Sequence, residues 1–150
     1  MTGWLLDTNV IAELAQPQGA RRVVAWASAQ DESRLYLSIL TLAEYDQGLS
    51  NLAPDNPLRP AIAAGIAALE TRFAGRILTL TDRIVRRWGA VSGAVKRQTK
   101  HAPPVVDTLL ATTAIEHGLC LVTRNVRDIR HSGVSWLNPW DPTSGRSRPN

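Results

Sequence analysis

Short apolar runs alternate along this chain with longer stretches whose apolar residues recur every three to four positions. Trp4-Leu5-Leu6, Leu35 to Ser38, Arg76 to Leu80, Leu119 to Thr123 and Val134 to Leu137 read as strands, the last at a sheet edge. Between them, helical spacing runs from Thr8 to about Leu14, from Ala20 to Gln30, from Thr41 to Asn51, from Ala61 to Phe73, through the stretch capped by Thr81-Asp82, and from Val105 to Gly118. Gln16-Pro17-Gln18-Gly19, the proline-bearing loop 51–60 and His101-Ala102-Pro103-Pro104 punctuate the pattern. Strand and helix in alternation predict an α/β fold: a central parallel sheet of four to five strands with helices on both faces.

Length changes this picture little: 150 residues, 44% of them hydrophobic, suit one domain. We place it at 1–140 and expect 141–150, rich in Pro, Ser and Arg, to be a poorly ordered tail. No apolar run approaches the roughly 20 residues a bilayer requires, and no basic leader precedes the first strand, so a cytoplasmic protein without membrane contact is expected. Cys120 lies inside Leu119-Cys120-Leu121-Val122 and reads as a small buried side chain. His101, His117 and His131 lack metal-ligand spacing and read as surface residues.

Charge adds more. Lys and Arg number 17 against 13 Asp and Glu, a net of +4, and between Arg83 and Lys100 six cations meet no acid. Arg83, Arg86, Arg87, Lys96, Arg97 and Lys100 would make a basic face, read either as a nucleic-acid contact or as a solvated helix surface.

The acids are placed more tellingly. Asp7 ends the first strand and opens a helix; Glu44 lies near the start of the helix after the second strand. Asp107 begins a helix whose inward stripe is Leu110, Ala111 and Ala114, and Asn125 and Asp128 follow the strand at Leu119 to Thr123. Each has a plain alternative: Asp7 as a helix cap, Glu44 as partner of Thr41 in a capping box, Asp107 as a dipole partner, with Asp82 assigned to capping and Glu13 to solvent. As a set, though, they fall where an open α/β sheet gathers its ligands, outside the carboxyl ends of the strands. Acids so gathered stay ionised only beside a cation, and an all-oxygen cluster selects Mg²⁺, or Mn²⁺, over softer metals. Such an ion suits phosphodiester hydrolysis, and the basic helix would hold a nucleic-acid backbone. No Ser-His-Asp order, P-loop or G-x-G-x-x-G is present.

These residues resemble a family. Leu5-Leu6-Asp7-Thr8-Asn9-Val10-Ile11, Leu42-Ala43-Glu44, Val106-Asp107 with its Ala-rich helix, and Leu121-Val122-Thr123-Arg124-Asn125-Val126-Arg127-Asp128 together resemble the PIN-domain ribonucleases, and within them the toxins of VapBC-type toxin–antitoxin modules. The Asn138-Pro139-Trp140 ending is similar to the FitB-like branch. The resemblance implies a PIN-like three-layer fold and a Mg²⁺-dependent endoribonuclease toxin. Asp7, Glu44 and Asp107 would be metal ligands and catalytic residues, supported by Asn9 and Thr123. Asn125 stands where the family often has a fourth acid. Either Asn125 serves through its carbonyl or a water, or Asp128 substitutes, or a second metal is weakly held. The resemblance further implies an RNA substrate, a homodimer, a hetero-oligomer with a cognate antitoxin, and promoter DNA met only through that antitoxin. Two alternatives stand beside it: a non-catalytic module acting through antitoxin or DNA binding, and a haloacid-dehalogenase-type phosphatase, for which Asn9 occupies the place of a needed second Asp.

Overall fold

A computed structural model describes residues 3–141 and Thr143. Five strands form one parallel sheet in the order β3-β2-β1-β4-β5, with β1 Trp4–Leu6, β2 Leu35–Ser38, β3 Ile77–Leu78, β4 Cys120–Val122 and β5 Trp136–Leu137. Trp4 lies opposite Leu35 on one side and Cys120 on the other, and Leu6 lies opposite Val122. Every residue of β1 and β4 is buried, as a sheet covered on both faces demands. The chain winds outward through β2 and β3, then crosses back to lay β4 beside β1. That reversal opens a crevice at the carboxyl ends of β1 and β4, the position at which such sheets bind ligands.

The two faces separate by strand alternation. Trp4, Leu6, Cys120 and Val122 face α1 (Thr8–Leu14) and α2 (Arg21–Ser28), joined by Phe73 at the end of α4 (Arg59–Arg72). Trp26 meets Trp4 edge to face at 5.4 Å. Leu5 and Leu121 face Leu110, Ala111 and Ala114 of α6 (Val105–Glu116) and Ile129 of α7 (Val126–Ile129), so the stripe on Asp107's helix is core. Outside α6 lies α5 (Asp82–Thr99). The three-layer α/β expectation therefore holds, with five strands. Cys120 is buried and all three histidines are exposed, as expected.

Several boundaries differ from the sequence reading, each for a local reason. The helix expected from Thr41 begins two residues earlier, as α3 (Ile39–Ser50), because the Ser38 hydroxyl accepts from the Leu40 N–H at 3.1 Å and caps it. Glu44 is thus in the second turn, and the Thr41–Glu44 capping box does not form. At α5 the cap is the Thr81 hydroxyl, 3.2 Å from the Ile84 N–H, while Asp82 is the first helical residue. Glu13 is not a free solvent-facing side chain: its carboxylate accepts from the Ala20 N–H at 2.7 Å and pins the turn into α2. In that turn a Cβ on Gly19 would lie 2.5 Å from the Glu13 carbonyl oxygen, so only glycine fits. The tail expected at 141–150 lies, apart from Asp141 and Thr143, outside the described residues. Among the described residues no helix is long and apolar enough to cross a membrane.

Arginine closes two junctions. Arg59 donates to the carbonyls of Leu49 and Leu52, at 2.7 and 3.0 Å, and ties α4 to the end of α3. Arg76 donates to the carbonyls of Glu32, Leu35 and Arg72, at 2.6, 2.6 and 2.7 Å, with its guanidinium over the Phe73 ring. Arg76→Ala should cost about 2–3 kcal/mol, because carbonyls at the entry to β2 lose charged donors. Urea denaturation measures this, and Arg76→Lys should recover only part of the loss, since an ammonium does not reproduce the fork.

Candidate active site

The crevice is built from Asp7 outward. Extended backbone at Asp7 ends β1 and caps α1, and the carboxylate is 7% exposed. Its Oδ1 accepts from the Thr8 N–H at 2.6 Å; its Oδ2 accepts from the Thr123 hydroxyl at 2.7 Å and the Asn9 amide at 3.2 Å. Thr123, fully buried at the end of β4, accepts in turn from the Asn125 N–H at 2.9 Å. Asn9 Oδ1 accepts from the Arg124 N–H at 3.3 Å. The ends of the two central strands are thereby tied side chain to side chain.

The other acids join this pair. The Thr8 hydroxyl lies 3.2 Å from Glu44 Oε1 and 3.0 Å from Thr41 Oγ1, bringing α3 to the mouth of the crevice. Asn125 Nδ2 donates to Asp107 Oδ2 at 3.2 Å, which brings in α6. Asp107 titrates far from its ordinary range: burial, then the negative charges of Asp7, Asp128 and Glu44, push it up to about 6. Glu44 is raised by burial and by Asp7. Asp7 is raised by burial, against the hydrogen bonds from Thr123, Thr8 and Asn9. Among the described residues no Lys or Arg forms an ion pair with any of the four acids; the ion pairs go to Glu32 and Glu116.

The predicted set is thus brought together: Asp7, Asn9, Thr123, Asn125 and Asp107 in one chain of hydrogen bonds, Glu44 through Thr8, and Asp128 by the charge it exerts on Asp107. Among the described residues, however, no three carboxylate, imidazole or thiol groups stand close enough as placed to hold a metal ion. Asp107 is turned onto an amide and both Asp7 oxygens accept from protein donors. Sequence reasoning missed Thr8 as the link to Glu44; its place in a helix start carries no signal for a contact made across 36 residues. Asn9 donates an amide proton to Asp7, so the second carboxylate a dehalogenase-type phosphatase requires is replaced by a donor.

The basic face is split. Arg83 and Arg87 both pair with Glu116 at the end of α6, the latter at 2.7 Å. Because α5 and α6 run antiparallel, Lys96, Arg97 and Lys100 lie at the opposite end, beside the start of α6 where Asp107 stands. The two groups are separated by roughly 20 Å of helix at 1.5 Å per residue. An acid from another helix thus occupies two cations that looked free in the sequence.

Buried parallel strands, a switch point between β1 and β4 and carboxylates at its mouth define a class, and the PIN domain family matches residues 4–133. The chain belongs to that family. It is 34% identical over 139 residues to Toxin FitB of Neisseria gonorrhoeae, spanning 91% of this chain and 97% of that protein. It is 32% identical over 139 residues to VapC ribonuclease Y4jK of Sinorhizobium fredii, spanning 92% and 98%. Among solved structures, FitAcB from N. gonorrhoeae superposes with a TM-score of 0.81 at 30% identity, over 91% of this chain and 98% of that one. FitAB bound to an IR36 DNA fragment gives 0.78 at 31%, over 92% and 96%.

The raised Asp107 has a consequence for stability. An acid whose pKa rises on folding binds more protons in the native than in the unfolded chain between pH 3.8 and about 6. Its contribution to stability therefore falls as pH rises through that window and is fully lost above it. In metal-free protein Asp107→Asn should raise Tm by a few degrees at pH 7.5 and flatten the fall in stability between pH 4 and 7. Thermal melts across that range, with EDTA present, measure both.

Proposed function

We propose that this chain is a divalent-metal-dependent endoribonuclease, acting in the cytoplasm as the toxin of a toxin–antitoxin pair. The observation that carries the reading is the cluster of Asp7, Glu44, Asp107 and Asp128, whose charges oppose one another while no basic side chain among the described residues balances them. The similarity to a VapC ribonuclease supports the reaction class.

The donor set fits a hard cation. It is all oxygen and it carries excess negative charge. Asp7, Glu44 and Asp107 would hold Mg²⁺ or Mn²⁺, with Asp128 as the fourth carboxylate. A bound ion supplies a water of lowered pKa and a counter-charge for the phosphate oxygens. The chain's own residues do the rest. Thr123 and Asn9 favour the ionised form of Asp7 against burial, and fix its orientation, by donating to it. Asn125 aims a donor, rather than a ligand, at Asp107, holding that carboxylate until a cation competes for it. Of the basic helix, Lys96, Arg97, Lys100 and Arg86 remain for RNA phosphates, while Arg83 and Arg87 hold α6.

The antitoxin has a seat as well. Helices α1, α2, α3 and α4 enclose a groove of about 850 Å³, lined by Leu14, Val24, Leu52, Ile62, Ile66 and Phe73, with Glu44 in its wall. An apolar peptide laid there would reach Glu44 at the mouth of the crevice. The neighbouring FitAcB structure and FitAB bound to an IR36 DNA fragment support such a partner and a hetero-oligomer that meets DNA, and on this reading that DNA is promoter DNA met only through the antitoxin. The same reading carries a homodimer.

Asp7→Asn and Asp107→Asn should each lower metal-dependent cleavage of a mixed RNA substrate by at least about 10²-fold, the scale for losing a group that acts on the transition state, with folding retained by circular dichroism. Full cleavage in excess EDTA overturns the reading. Joint replacement of Lys96, Arg97 and Lys100 by Ala should weaken RNA binding, whereas Arg83→Ala with Arg87→Ala should instead lower Tm; gel-shift and melting assays separate the two.

A further inference from the structure

A carboxylate cluster repels the polyanion it is proposed to cut, so something beside it must offer positive charge without being drawn into the cluster. Arg124 meets that condition within the hydrogen-bond network itself. Arg124 stands between Thr123, which holds Asp7, and Asn125, which holds Asp107, and its own N–H donates to Asn9 at 3.3 Å. Its backbone is therefore fixed at the rim of the crevice by the same network that orients the acids.

Its side chain does not collapse onto them. The guanidinium carbon lies 5.2 Å from the centre of the Trp140 ring, the side chain is exposed, and among the described residues it forms no ion pair. Trp140 is a fixed shelf. It packs against the core cluster of Trp4, Leu6 and Val10; its N–H donates to Asn138 Oδ1 at 3.0 Å; and its carbonyl accepts from Arg22 at 3.4 Å. A guanidinium lying over an aromatic ring uses its face for that contact and leaves its N–H edge free. That edge is a fork that suits two phosphate oxygens.

We propose that Arg124, held on Trp140, is a phosphate-binding residue that seats the RNA backbone against the carboxylate cluster. The assignment rests on the ribonuclease reading for its substrate. It gives Trp140, distant in sequence from Asp7, Glu44 and Asp107, a part in the site. The occupant is RNA rather than an acidic protein segment because the arginine stands beside groups suited to phosphodiester chemistry.

The test uses the full chain and a labelled single-stranded RNA, followed by fluorescence anisotropy in EDTA over a range of salt. Arg124→Ala should raise Kd about tenfold, as for one charge-assisted contact, and reduce the slope of log K against log salt by about 0.7, one phosphate contact's share. Tm should not change. Arg124→Lys should keep the salt slope but recover only part of the affinity. In Mn²⁺-dependent cleavage, Arg124→Ala should raise KM and leave kcat unchanged. Parental Kd and slope in Arg124→Ala overturn the proposal, as does a fall in Tm that accounts for the loss. Weakened antitoxin binding with RNA binding intact also overturns it. If the parent chain cleaves no RNA with either metal, the ribonuclease reading fails by itself, and the anisotropy measurement still decides for or against Arg124.

Discussion

The hydrogen bond from the Thr123 hydroxyl to Asp7 is the contact on which the rest of the crevice depends. It joins the ends of two strands that are adjacent in the sheet but separated by 116 residues of chain. It also lets a carboxylate remain in a buried position. Burial alone drives Asp7 toward its neutral form, and the hydrogen bonds from Thr123, Thr8 and Asn9 act in the opposite sense. Thr123 and Asn9 also reach outward to Asn125 and Arg124, so one hydroxyl and one amide order three neighbours, Asp7 among them.

The electrostatics around that contact are unbalanced by design of the fold rather than by composition. The chain is net positive, yet among the described residues its ion pairs are made elsewhere. Arg76 and Arg59 are spent on backbone carbonyls, Arg72 on Glu32, Arg83 and Arg87 on Glu116. Asp107, half-buried in the first turn of an otherwise core-forming helix, is pushed up first by burial and then by the charges of Asp7, Asp128 and Glu44. A site assembled this way is stable without help only because its acids can take up protons or accept from amides and hydroxyls, and both adjustments are visible at Asp107.

Much of the fold was legible in the order of residues. Apolar runs without alternation at Trp4-Leu5-Leu6 and Leu119 to Val122 foretold strands buried on both faces, and the stripe Leu110, Ala111, Ala114 foretold which side of α6 is core. The strand-end positions of Asp7 and Asn125 were legible too, because Asp7 directly follows one β-run and Asn125 comes within three residues of the end of another, and in a parallel sheet such positions lie at one edge. Local competition was not legible. Ser38 and Thr41 are both capping residues by type, and it is Ser38, at the end of β2, that serves. Likewise Glu13 reads as a surface residue until the turn at Gly19 brings the Ala20 N–H to it.

By itself, then, the order of amino acids determined the alternation of strand and helix, the apolar faces and the strand ends at which charged groups stand, because these follow from periodicity within a few residues. Tertiary structure alone decided which charges remain free. Glu116 takes Arg83 and Arg87 out of the basic run, Thr8 carries Glu44 to the crevice, and Trp140 holds Arg124 at its rim. Each of these is a contact between residues far apart in the chain, and distance along a sequence holds no information about a side chain's partner until the sheet order has set which strand ends are neighbours.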